Sequence, residues 1–191
     1  ELQKQLPHLW KLLDAMNIPV LKKPGFEADD IIGTITESVS KEEIESYIVS
    51  GDKDFMQLIN DKIFLYTPGK RNASPMIYDE KGVVEKWNLP PEKIIDLLAL
   101  MGDSSDNVPG VAGVGVKTAV KLLQEYGGID TVFENVDKIT NKRVHNGLIN
   151  CKDDAYLSKE LVTISKDVEL EYKLDGFIIK SYDNDVLIKK Y

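Results

Sequence analysis

Leu2, Leu6, Leu9, Trp10, Leu12, Leu13 and Met16 recur at helical spacing. They predict a helix over residues 1–16, with Pro7 as a local fault. Asn17 followed by residues 18–21 reads as a turn into a short strand, and Pro24-Gly25 is punctuation. Ile31, Ile32 and Ile35 share one face of a helix expected from about residue 28 to 39. Residues 46–50, Ser-Tyr-Ile-Val-Ser, predict a strand of the buried, parallel type that ends at Gly51. A short helix around 55–59 and a strand over 63–66 follow. This alternation predicts an α/β fold, an open, mostly parallel sheet flanked by helices.

Beyond a polar, basic loop at 69–75 the pattern changes. Residues 80–165 read almost wholly as helix, broken at Pro90-Pro91, at a glycine-rich run over 109–118 and at Gly127-Gly128. The division expected is an α/β core over 1–101, a helical module over 102–175 and a tail over 176–191. No stretch is long and apolar enough to cross a bilayer, and no leader pattern opens the chain. The chain starts without Met inside a helical pattern, so the expectation is a fragment whose N-terminal part is missing.

Composition narrows the chemistry. The 191 residues are 42% hydrophobic, enough for a substantial core, and carry a net charge of −8. That balance argues against a simple basic-stripe nucleic-acid binder. Cys151 is the only cysteine, which excludes an internal disulfide, and fits a reducing compartment. His8 and His145 lie far apart, so a His-rich zinc or iron centre is not expected. A bound metal would have to be held by oxygen, which suits Mg²⁺, Mn²⁺ or Ca²⁺.

The acids that could do so gather at three stations: Glu27, Asp29 and Asp30; Asp52 and Asp54; Asp103 and Asp106. Massed carboxylates repel one another unless cations sit among them. Each station also has a plain reading. Glu27 and Asp30 share a helix face, with Asp29 pointing elsewhere unless the helix starts right there; acids in a first turn also complement the helix dipole. Asp52 and Asp54 alternate onto one side of an extended segment, or they form a turn. Asp106 ligates alongside Asp103, or it caps a helix. In open α/β sheets ligands bind at the carboxyl ends of strands, so the first two stations are expected on one rim. Two ions roughly 4 Å apart would clamp a scissile phosphate, generate hydroxide on one side and stabilise the leaving oxygen on the other. Lys53 is expected on the opposite face, in a structural role or exposed to solvent. Phe26, Phe55 and Tyr126 are expected as core or cap residues, His145 at the surface and Cys151 at least half buried.

The glycine run adjoins the third station. Gly110 and Gly115 have the spacing of a Walker A loop, but Val116 stands where its Lys belongs; a dinucleotide fingerprint fails at Thr118. A helix–hairpin–helix fits better. Gly113, Val114 and Gly115 form the hairpin, and Lys117, Thr118 and Lys121 open the second helix. Small residues there let the backbone approach a phosphate, and helix-start amides bond its oxygens. Such contacts grip the backbone without reading sequence. A plain glycine-rich connector is the alternative.

Together the strings Gly-Phe-Glu-Ala-Asp-Asp (25–30), Gly-Asp-Lys-Asp (51–54), Gly-Asp-Ser-Ser-Asp-Asn-Val-Pro-Gly (102–110) and Gly-Val-Gly-Val-Lys-Thr-Ala (113–119) resemble the 5′-nuclease domains of the flap endonuclease family, those of bacterial DNA polymerase I among them. The likeness runs over most of residues 1–172. It implies a PIN-like nuclease core followed by a helix–three-turn–helix module. It also implies metal-site roles for Glu27, Asp29, Asp30, Asp52 and Asp54, and a second-metal pair in Asp103 and Asp106. The implied cofactors are two Mg²⁺ or Mn²⁺ ions, with K⁺ at the hairpin. The implied activity is 5′-3′ exonuclease or 5′-flap cleavage in replication and repair. The implied partners are duplex DNA with a 5′ end or flap and a covalently attached polymerase domain, in a monomeric, cytoplasmic, nucleoid-associated bacterial protein. Members of the family begin with a strand bearing an early Asp, followed by a basic arch, and nothing here matches those parts. Two other readings therefore stand: a non-catalytic, structure-specific DNA-binding module, and a phosphohydrolase for small phosphates.

Overall fold

A computed structural model describes residues 2–69 and 74–181. The centre of the expected basic loop, residues 70–73, and the tail from 182 lie outside the described residues. Helix α1 spans Leu2–Ala15 and runs through Pro7 without a break. None of its residues is buried, and Lys22 Nζ sits 3.7 Å over the Trp10 ring. Residues 18–21 form no strand, so the first acid station follows an extended loop. Pro19 offers no amide for a sheet ladder, which accounts for the difference.

Helix α2 covers Ala28–Ser40 and starts one residue after Glu27, whose backbone is extended. Asp30 Oδ2 accepts the Glu27 N–H at 3.2 Å, satisfying one amide at the helix start. Strand β1, Ser46–Val49, pairs parallel with β2, Ile63–Thr67; β2 pairs antiparallel with β3, Met76–Tyr78. The sheet among the described residues thus holds one parallel and one antiparallel pairing. Strand β1 is parallel as expected, yet only Ile48 is buried, while Tyr47 and Val49 are 52% and 67% exposed. One face of β1 alone is covered, and among the described residues the strand lies at the sheet's edge.

Between β1 and β2 a 3₁₀ turn, Asp54–Leu58, drives Phe55, Met56, Gln57 and Leu58 into the core. The helical half follows: α3 (Glu80–Trp87), α4 (Ile94–Met101), α5 (Val116–Tyr126), α6 (Ile129–Glu134), α7 (Lys142–Asn150) and α8 (Lys152–Val162). Helix α3 is capped by Asp79 Oδ1, which accepts the Gly82 N–H at 2.8 Å. Helix α4 is apolar almost all round, with Ile94, Leu97, Leu98, Ala99 and Leu100 buried, and it packs against both α5 and α8. A helix of that composition belongs at the centre of a core.

The segment after α8 returns across the sheet half and ties it down. Gln57 Nε2 donates to the Val162 carbonyl at 2.8 Å, and its Oε1 accepts the Ile164 N–H at 3.0 Å. Asp30 Oδ1 accepts the Ser165 N–H at 2.9 Å, and Thr34 Oγ1 accepts the Val168 N–H at 3.1 Å. Gly33 allows this crossing: a Cβ there would lie 2.6 Å from Ile164 Cγ2 and 2.8 Å from the Ser165 carbonyl oxygen.

Candidate metal and nucleic-acid site

Because α2 starts at Ala28, Asp29 falls in its first turn and comes within electrostatic reach of the other stations. Burial raises the Asp29 pKa above the ordinary carboxylate range, and the fields of Asp52, Glu27, Asp30 and Asp106 raise it further. Asp30 behaves differently. Both of its oxygens accept backbone amides, from Glu27 and Ser165. Glu27 is an exposed residue at the helix mouth.

The second station is a turn rather than an extended pair. Asp52 N–H donates to Ser50 Oγ at 3.1 Å, and Asp52 Oδ1 accepts the Asp54 N–H at 3.0 Å. Short polar side chains that bond the backbone two residues on fold a strand end into a turn. Strand alternation therefore stops at Val49, and Lys53 does not face away. Its ammonium hydrogen-bonds Asp103 Oδ2 and lies 3.5 Å from Asp54 Oδ1, spanning two stations. Sequence spacing gave no sign of this contact, because it depends on the turn.

The third station hangs from a tight loop after α4. Asp103 and Val108 exchange backbone hydrogen bonds, Asp103 N–H to Val108 O at 3.0 Å and the reverse at 2.8 Å. Asp103 Oδ1 accepts the Ser105 N–H at 2.8 Å, and its side chain is 7% exposed. The Lys53 hydrogen bond, followed by the Ser105 amide, holds the Asp103 pKa below the ordinary range. Asp54 shows the opposite response. Burial, helped by Asp52 and Asp103, outweighs the pull of Lys53 and pushes its pKa up to about 6. For Lys53 itself burial opposes the charge, but the Asp103 hydrogen bond and the fields of Asp54, Asp103 and Asp52 prevail and raise its pKa.

Gly51, Asp52, Lys53, Asp103, Ser105 and Asp106 line an open cleft of about 390 Å³. Asp54 Oδ1 is buried beside it and, among the described residues, has no hydrogen-bond partner. No three His, Cys, Asp or Glu side chains stand together in metal-ligating geometry among the described residues. Lys53 already engages two of the candidate donors. The donor chemistry nonetheless fits a hard divalent cation: every candidate is a carboxylate, and one buried carboxylate oxygen, Asp54 Oδ1, accepts no hydrogen bond although the Lys53 ammonium lies 3.5 Å away.

The glycine run builds the neighbouring surface. Gly102 and Gly110, at φ 70° and 63°, pass so closely that a Cβ on Gly110 would lie 2.4 Å from the Gly102 nitrogen. Gly113 sits at φ 84° with the Arg143 side chain against it; a Cβ there would lie 3.1 Å from Nε. Val114 is 4% exposed, so its side chain belongs to the core and only its backbone serves the hairpin. Gly115 precedes α5 with open space around it, and α5 has neither a side-chain cap nor an acid in its first turn. Its positive end therefore stays open to an anion. Lys117, Thr118 and Lys121 then line a groove of about 370 Å³ with Lys138, Thr140 and Asn141 across it. The far wall comes from the turn before α7, which spacing within 109–121 could not reveal. Phe55 and Tyr126 pack in or against the core as expected, whereas Phe26 is 46% exposed. His145 is part-exposed, with Nε2 3.9 Å from Asp137 Oδ1, and Cys151 is half buried.

Solved structures share this fold. The bacteriophage T5 D15 flap endonuclease, in a pseudo-enzyme–product complex with DNA and metal ions, superposes with a TM-score of 0.74 at 23% identity, covering 83% of this chain and 57% of that one. The catalytic core of Rad2 with a DNA substrate gives 0.65 at 20% identity, covering 96% and 62%. Among curated relatives, DNA polymerase I of Bacillus subtilis (strain 168) is 41% identical over 188 residues, 98% of this chain and 21% of that protein. DNA polymerase I of Rhizobium leguminosarum is 40% identical over 174 residues, 91% and 17%. The chain thus spans about a fifth of the length of these relatives. Residues 1–88 match the 5′-3′ exonuclease N-terminal resolvase-like domain and residues 89–185 the 5′-3′ exonuclease C-terminal SAM fold. With both halves matched along nearly the whole chain, this protein belongs to the 5′-3′ exonuclease family.

Proposed function

We propose that this chain forms the nuclease region of a DNA polymerase I-like bacterial protein and hydrolyses DNA phosphodiesters at 5′ ends or flaps with divalent metal. The observation that carries this reading is the approach of Asp29, Asp52, Asp54, Asp103 and Asp106 from three distant segments. Asp52, Asp54, Asp103, Asp106 and Asp29 would hold two Mg²⁺ or Mn²⁺ ions, with Glu27 at the mouth. When bound, such ions supply charge stabilisation and an activated water. Asp30 shapes the site by fixing the start of α2 rather than by offering a free oxygen.

The backbone at Gly113, Val114 and Gly115, together with Lys117, Thr118 and Lys121, would hold the phosphates of duplex DNA, with K⁺ as a candidate ion at the hairpin. In this reading the chain works as a monomer in the bacterial cytoplasm, at the nucleoid, joined to a polymerase region. The non-catalytic alternative draws on Lys53, which already engages Asp54 and Asp103. A 5′-flap duplex incubated with Mg²⁺ or Mn²⁺ separates the two. Metal-dependent cleavage that disappears in Asp52→Ala supports the nuclease reading. Duplex binding with no cleavage under either metal supports the binding module instead.

A further inference from the structure

Lys53 is the one cation that touches two acid stations among the described residues. It lies in the turn between Asp52 and Asp54, and its ammonium joins Asp54 to Asp103, a residue fifty positions away in the chain. Its side chain is 29% exposed, against 16% for Asp54 and 7% for Asp103. A part-buried ammonium between two more deeply buried carboxylates balances charge that would otherwise be left uncompensated. A divalent ion held by Asp54 or Asp103 needs the same oxygens. Lysine suits a removable occupant: it is a compact charge on a flexible four-carbon stem with solvent nearby, whereas a planar guanidinium is less readily displaced.

We infer that Lys53 is an internal stand-in for the divalent cation, holding Asp54 and Asp103 together in the metal-free protein and swinging out when metal enters. The inference rests on the nuclease reading, because it presumes that these carboxylates ligate metal. It assigns Lys53 a positioning role: the lysine preserves the arrangement of Asp54 and Asp103 and weakens metal affinity by competing for their oxygens. Two consequences separate this from an ordinary structural ion pair. Removing the ammonium must tighten metal binding, and the stability lost must return when metal is added.

Calorimetric titration of the protein with Mn²⁺ alone tests the first consequence, on wild type, Lys53→Met and Lys53→Arg. Lys53→Met is expected to bind Mn²⁺ about tenfold more tightly, the equivalent of about 1.4 kcal/mol. Lys53→Arg, which keeps the charge and yields the donors less readily, is expected to bind no more tightly than wild type. Thermal unfolding tests the second. Lys53→Met should melt below wild type without metal and level with it under saturating Mn²⁺. Equal or weaker Mn²⁺ binding by Lys53→Met, or a melting deficit that metal does not repair, overturns the stand-in role and leaves the nuclease reading intact. Wild type that takes up no Mn²⁺ overturns both.

Discussion

Asp30 on α2 accepts the backbone N–H of Ser165 at 2.9 Å, across 135 residues of chain, while its other oxygen accepts the Glu27 amide. The first acid station is therefore divided in its work. Asp29 turns to the other acids, and Asp30 turns to the backbone. Asp30→Ala is expected to lower the unfolding free energy by about 1–3 kcal/mol, since it strands a part-buried amide and removes a helix-start acceptor. Mn²⁺ uptake should survive the change. Denaturant midpoints and calorimetry on the same variant check both halves; loss of uptake with an unchanged midpoint would reverse the division.

Asp54 gives the site a pH signature. Its pKa of about 6 in the folded protein lies above the unfolded value near 3.8, so the native state holds the extra proton between those two pH values. The contribution of Asp54 to stability therefore falls as pH rises from about 4 to about 6 and is flat above. Asp54→Asn is expected to raise the melting temperature of the metal-free protein at pH 7 relative to wild type and to remove that slope. The same proton competes with metal, so wild-type Mn²⁺ affinity should weaken as pH drops through about 6 and Asp54→Asn should bind poorly throughout. Melting curves and Mn²⁺ titrations at pH 5, 6 and 7 are the measurements.

Gly147 brings α7 against the glycine run: a Cβ on it would lie 2.0 Å from the Ala112 carbonyl oxygen. Backbone on that side cannot swing aside as a side chain could. Gly147→Ala should cost about 2–4 kcal/mol in unfolding free energy, at the upper end of single substitutions. Gly115→Ala, where a Cβ meets nothing within 4 Å, is the control and should cost far less. Urea titration of the two variants decides; equal losses would contradict the packing.

Lys117 and Lys121 lie one helical turn apart on α5 and line the same groove. Lys117→Ala and Lys121→Ala should each weaken duplex binding and reduce the salt slope of log affinity by about one. Mn²⁺ uptake at the acid cleft should not change. Fluorescence anisotropy with a short duplex at several salt concentrations reads the slope, and an unchanged slope would remove that lysine from the phosphate grip.

Helices were legible wherever apolar residues kept a regular period, as in α1 and α2, because that period is a local property of the chain. The approach of the three acid stations was legible too, since their residue type and clustering are visible in the chain itself. What could not be read was decided by contacts across distance. Lys53 was expected on the opposite face because alternation was carried past Val49, beyond the point where Asp52 folds the chain into a turn. The hydrogen bond between Asp30 and Ser165 could not be foreseen, because Ser165 belongs to a segment with no pattern of its own. The groove beside Lys117 draws its far wall from Lys138, Thr140 and Asn141, which mean nothing in isolation.

The return of residues 162–168 over α2 and the 3₁₀ turn sets an order of events during synthesis. Asp30 leaves the ribosome 135 residues before the Ser165 amide that it accepts. At about 5–20 residues per second, that interval is roughly 7–27 seconds. For that time the α2 carboxylates lack the clasp that fixes their helix. The nascent acid cleft therefore takes its final form late, after the helical half has been made, so the cleft and the helical module become complete together.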